Sequence, residues 1–170
     1  MPQYARPDSD VSSGSWSPST GSTLYECIDE ETPSDADYIE SDTDEDECEV
    51  GLSTVTDPES SSNHTVRWRW QSTGSSPPTE TCSVYLYEGA TLRATCALER
   101  DVDRGGFAAE SYTLSSGEAD AITDYTALRL WFEADTLGSA EEMQVSWAEM
   151  EIPNAPSVGG VSNLMLLGVG

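Results

Sequence analysis

Residues 65–70, TVRWRW, alternate apolar and basic side chains with period two. That period belongs to a half-buried β-strand, with Val66, Trp68 and Trp70 on one face and Arg67 and Arg69 on the other. Residues 82–98, CSVYLYEGATLRATCAL, fold back on themselves as a hairpin. A three-residue turn Glu88-Gly89-Ala90 sets Leu86 opposite Leu92, Val84 opposite Ala94 and Cys82 opposite Cys96. The even positions then face a core, and Tyr85, Tyr87, Thr91, Arg93 and Thr95 face away from it.

Further strands are predicted at 23–30, around Tyr38 and Ile39, at 48–55, in the first residues of 111–122, at 127–135 and at 142–153. Leu128, Leu130 and Phe132 line one face of the 127–135 strand, and Met143, Val145 and Trp147 line one face of the last. A helical turn follows Ser115 or Ser116, which cap it, with Glu118 and Asp120 in its first turn. Residues 71–80 and 99–110 read as loops. Seven or eight short strands separated by Gly, Pro and Ser turns predict an all-β, jelly-roll-type β-sandwich over residues 21–153. An extended N-terminal arm (1–20) precedes it, and an uncharged apolar C-terminal tail (154–170) follows it.

The chain carries 32 Asp and Glu against seven basic residues, a formal charge of -25, and every base is Arg. Five Trp and seven Tyr argue for a packed core rather than acidic disorder. An acidic, lysine-free folded protein suits multimolar salt, where the screening length falls to roughly 3 Å at 1 M and carboxylate repulsion fades. The same charge repels phosphate backbones, so no nucleic-acid partner is expected. No apolar run approaches the ~20 residues of a membrane span, and the N-terminus carries no signal-peptide pattern.

Catalysis finds little support. The one histidine, His64, sits in a loop with no nucleophile nearby in sequence, so it reads as a solvated side chain and the chain as a non-enzyme. Asp42, Asp44 and Asp46 alternate like the opening of a calcium loop and are the metal candidates. The sixth and twelfth positions, however, are Glu47 and Ser53 where such a loop needs Gly and Glu. No cofactor is expected beyond cations held loosely from a brine. Asn63-His64-Thr65 fits the N-glycosylation acceptor pattern. Cys27, Cys48, Cys82 and Cys96 lack zinc-site spacing; disulfides remain open, with buried free thiols the favoured state in a reducing cytoplasm. Tyr85 and Tyr87 are the candidates for a glycan-facing surface. Leu164, Met165, Leu166 and Leu167 are the candidate assembly residues of a tail that inserts into a partner or a neighbouring subunit.

Three stretches, SGSWSPSTGSTLYECIDEETPSDADYI (13–39), EVGLSTVTDPESSSNHTVRWRW (49–70) and GEADAITDYTALRLWF (117–132), with VSWAEMEIP (145–153), resemble a family of small structural proteins of tailed bacteriophages and tailed archaeal viruses. The resemblance spans roughly residues 13–153. It implies a jelly-roll domain built into or onto the virion, as capsid decoration, turret or tail component, with no enzymatic activity. With the acidic composition it points to a haloarchaeal virus, a homo-oligomer assembled in the host cytoplasm and exposed to high salt on release. The acidic run at 40–49 and the apolar tail depart from the family pattern. The alternative expectation is a carbohydrate-binding jelly-roll module that attaches to host-surface glycans.

Overall fold

The computed structural model describes residues 1–73, 80–102, 104–138 and 140–155. Its strands are β1 (Gln3–Ala5), β2 (Pro7–Ser12), β3 (Ser17–Pro18), β4 (Ile39–Ser41), β5 (Asp46–Leu52), β6 (Thr65–Ser72), β7 (Thr81–Glu88), β8 (Thr91–Asp101), β9 (Ala108–Thr113), β10 (Leu128–Thr136) and β11 (Met143–Ile152), with one short helix, α1 (Ser116–Asp120). One sheet runs β3-β4-β11-β6-β9, with β1 also on β11; the other runs β2-β5-β10-β7-β8. All pairs are antiparallel, and the two sheets close as a jelly-roll-type β-sandwich.

The core follows the alternation. Val66, Trp68 and Trp70 are buried together, and the two indoles meet edge-on with centroids 5.5 Å apart. From the opposing sheet, Val84, Leu86, Leu128, Leu130 and Phe132 complete the same cluster. Ser115 caps α1 through a full capping box with Glu118.

The N-terminal residues are extended and also laddered into the sandwich. β1 pairs with β11 in one sheet and β2 with β5 in the other, so the chain crosses between sheets at Arg6. Arg6 N donates to Ser53 Oγ (3.0 Å), and its guanidinium pairs with Glu149 at 3.0 Å. Gly14 has φ 53°, and a Cβ there would overlap the Glu47 carbonyl oxygen, so this turn requires glycine.

Four local expectations are corrected. Residues 23–30 form no strand: Tyr25–Cys27 make a 3-10 turn because Asp10 Oδ2 and Oδ1 accept the N–H groups of Leu24 and Tyr25, both at 2.9 Å. The β7–β8 turn has two residues, with Gly89 at φ 56° in the first turn position, where type II′ turns place glycine. Tyr87 therefore faces Leu92, and three register shifts then carry Cys82 opposite Arg100 instead of Cys96. In β11 a bulge between Val145 and Trp147 flips the alternation. Ala148, Met150 and Ile152 join Met143 and Val145 in the core, whereas Trp147 stands outside it and donates from Nε1 to Glu30 O (2.8 Å). Finally, β8 continues to Asp101 and β9 begins at Ala108, which shortens the expected 99–110 loop.

Candidate functional site

The outer face of the five-stranded sheet gathers aromatic rings among carboxylates. β10 lies between β5 and β7, so Trp131 sits opposite Glu49 on one side and Tyr85 on the other. One step along, Arg129 faces Tyr87, which makes Tyr87 the diagonal neighbour of Trp131. Their rings stack, with centroids 5.2 Å apart and planes 26° from parallel. Tyr85 Oη donates to Glu133 Oε2 at 3.3 Å, and Arg129 pairs with Glu49 at 3.2 Å. All three rings are partly exposed. Burial, followed by the nearby carboxylates, raises the Tyr87 phenol above its ordinary value. Burial, then the Glu133 charge, likewise raises the Glu47 carboxyl. Beneath the Trp131 edge a cavity of about 40 Å³ is lined by Ser12, Glu47 and Glu49, and the buried Trp131 Nε1 has no protein acceptor.

This surface offers flat apolar rings edged by hydrogen-bond acceptors, a pattern suited to a ligand with an apolar face and a hydroxylated rim. Tyr85 and Tyr87 lie on it as the hairpin alternation implies. Trp131 is the member that sequence reasoning missed.

Asp42, Asp44 and Asp46 do not converge. Asp46 is buried and clasps the N-terminal segment: its Oδ1 accepts Ser15 N (2.9 Å), its Oδ2 accepts Ser41 Oγ (2.5 Å), and its carbonyl accepts Trp16 Nε1 (3.2 Å). Asp44 accepts Leu137 N, and Asp42 accepts Thr43 Oγ1. Among the described residues no group of three or more His, Cys, Asp or Glu side chains is placed to hold a metal ion. Leu164, Met165, Leu166 and Leu167 lie outside the described residues.

His64 is not the solvated loop residue that its neighbours in sequence suggested. It is fully buried, with Nε2 2.8 Å from Tyr125 Oη, because Leu114 N donates to His64 O and extends the β6–β9 ladder to include it. Burial lowers the imidazole pKa and pushes the Tyr125 phenol up to about 12. Asn63 is exposed with φ 59° at the turn. All four cysteines are buried free thiols, and burial raises Cys48, Cys82 and Cys96, the last to about 12. No helix among the described residues is long and apolar enough to cross a membrane.

The loop over Trp147 holds a second electrostatic feature. Burial lifts the Glu30 carboxyl from its ordinary 4.5 to about 7, helped by hydrogen bonding and charge from Asp37. An acid raised in this way favours the folded state below pH 4.5 and weakens it as the pH rises toward 7. Glu30→Gln is therefore expected to stabilise the fold above pH 7 by about 1–2 kcal/mol, allowing for partial exposure, and to bring no gain below pH 4.5. Urea midpoints across that range check it.

No protein-family model matches the sequence, and no curated protein matches it. Among solved structures the chain is similar to the CBM22-1 xylan-binding domain from Paenibacillus barcinonensis Xyn10C, with 10% identity, TM-score 0.47, and coverage of 91% of this chain and 95% of that one. It is similar to the carbohydrate-binding module CBM6cm-2 from Cellvibrio mixtus lichenase 5A, seen with cellotriose, with 10% identity, TM-score 0.43, and coverage of 89% and 97%. It is also similar to the Agl-KA catalytic domain, with 12% identity and TM-score 0.45; there 91% of this chain spans 28% of the other.

Proposed function

We propose that this chain is a carbohydrate-binding β-sandwich that takes glycan on the outer face of its five-stranded sheet, with no catalytic role. The observation that carries the reading is the stacked Trp131–Tyr87 pair with Tyr85 beside it, held on adjacent rigid strands. A pyranose ring laid on one of these side chains removes roughly 60–80 Å² of apolar surface from water, about 1.5–2 kcal/mol per ring. Glu47, Glu49 and Glu133 accept hydrogen bonds from sugar hydroxyls and repel uronates, so the ligand is an uncharged glycan.

Trp131→Ala and Tyr87→Ala are each expected to weaken affinity for a retained polysaccharide at least about tenfold, which corresponds to 1.4 kcal/mol. Affinity electrophoresis through a panel of neutral polysaccharides reads this, with thermal melting as the control for folding. If the unmodified chain is retarded by none of them, the reading fails.

A second reading is a structural component of a halophilic tailed virus, on the capsid or in the tail. It rests on the resemblance over 13–39, 49–70, 117–132 and 145–153. Those stretches supply Trp16, the Trp68–Trp70 core pair and most of β11. The two readings are compatible: a glycan-binding domain displayed on a particle would serve attachment. Copies of the chain, other virion proteins and host-surface glycans are then its partners.

A further inference from the structure

Among the described residues the two sheets end on one flank in edges without a further strand, β9 of one sheet and β8 of the other. Between them runs a cleft of about 950 Å³ floored by Trp70 and lined by Cys96, Leu98 and Tyr112, with the Arg100–Glu110 ion pair (2.9 Å) across it. Leu98 is 64% exposed, in a protein whose surface is otherwise dominated by carboxylates. The edges differ in kind. β8 passes through three register shifts and carries Glu99 at φ 43°, features that blunt an edge. β9 keeps one register against β6 over all six of its pairs. Leu114 N donates to His64 O, so the alternation of an antiparallel ladder turns the N–H groups of Ala109, Ser111 and Thr113 away from β6. β9 thus presents a straight row of main-chain donors and acceptors beside a cleft that mixes apolar side chains with charged Glu99, Arg100, Asp101 and Glu110.

We propose that this edge receives residues 161–167 of the same chain, VSNLMLL, as an added antiparallel strand. The argument is one of exit point, direction, reach and chemistry. Pro153 and Asn154 lie beside Thr65 and Thr113, so the last described residues stand at the C-terminal end of β9. β11 is antiparallel to β6, and β6 to β9, so a segment that reverses after Pro153 runs antiparallel to β9. Crossing from β11 past β6 to the far side of β9 takes roughly 10–15 Å, and lining six residues of β9 takes about 20 Å. The 15 residues after Ala155 reach up to about 50 Å. Gly159-Gly160 supplies a turn signal before the apolar run, and the segment brings no charge into the cleft. Tethering holds it near the edge at an effective concentration in the millimolar range, which favours the chain's own segment over a neighbour's.

Hydrogen exchange followed by mass spectrometry tests this on the full chain and on Leu166→Asp and Ser111→Pro variants of it. Amides in 109–113 and 161–167 are expected to exchange at least about tenfold faster in Leu166→Asp. Ser111→Pro removes one outward donor and should expose 161–167 while the β6 amides stay protected. Protection in the unmodified chain should be independent of protein concentration. Free exchange of 161–167 in the unmodified chain would overturn the proposal. So would protection that appears only where light scattering detects a dimer, because a second copy would then fill the edge.

Discussion

Arg104→Met is expected to destabilise the sandwich by about 3–5 kcal/mol, the usual cost of removing one partner from a buried ion pair. Glu80 is fully buried just before β7, and its carboxylate takes a hydrogen bond from Arg104 Nε at 2.5 Å and one from Ser72 Oγ at 3.3 Å. Arg104 also pairs with Glu141 at 3.4 Å, so the cluster joins the end of β6, the approach to β7, the segment after β8 and the approach to β11. Burial alone would raise the Glu80 carboxyl, but the hydrogen bond from Arg104 and the Arg104 charge outweigh it and hold the group at about 2. A depressed acid contributes stability above its ordinary 4.5 and loses it as the pH falls toward 2. Urea unfolding between pH 2 and 7 should show that acid limb in the unmodified chain and a much flatter one in Arg104→Met. The double variant Glu80→Leu/Arg104→Met should recover most of the loss, since no charge is then left buried. Equal midpoints for Arg104→Met and the unmodified chain at neutral pH would show the carboxylate to be solvated instead.

Trp68→Ala should cost about 3–5 kcal/mol as well, by a different route: it opens a cavity between the sheets. Trp68 is 1% exposed and meets Trp70 edge-on, so truncation forfeits the burial of an indole and an aromatic contact together. Trp131→Ala, on the outer face, should stay within about 1 kcal/mol in the same urea experiment. A comparable loss for both would mean that the outer rings belong to the structure and not to a binding face.

The facing of β6 is legible in TVRWRW because a single regular ladder preserves period two. The same inference fails in β11, where Ser146 is inserted as a bulge and every later side chain changes face, so Trp147 leaves the core. Nothing local marks that insertion. The β7–β8 register slips for a related reason, since a two-residue turn and three shifts displace Cys96 from Cys82. The strand expected at 23–30 is lost to a carboxylate, Asp10, that lies more than a dozen residues away in sequence. The candidate site was half legible. Hairpin alternation turns Tyr85 and Tyr87 outward, and the burial of Leu128, Leu130 and Phe132 already turns Trp131 outward too. What local pattern does not contain is strand order: only the placement of β10 beside β7 brings Trp131 onto Tyr87. His64 shows the same limit, because its side-chain partner Tyr125 lies 61 residues on.

The ladder of Gln3 with Ile152 and Ala5 with Met150 has a consequence for the chain's birth. A ribosome releases β1 well before β11, so the β1 strand has no ladder partner until Ile152 has been made. β6 likewise waits for β11 while its apolar face is exposed. Folding should therefore be slow, with a long loop to close before that sheet is whole. During that wait in dilute salt, the mutual repulsion of 32 acidic side chains acts against aggregation of the open strands.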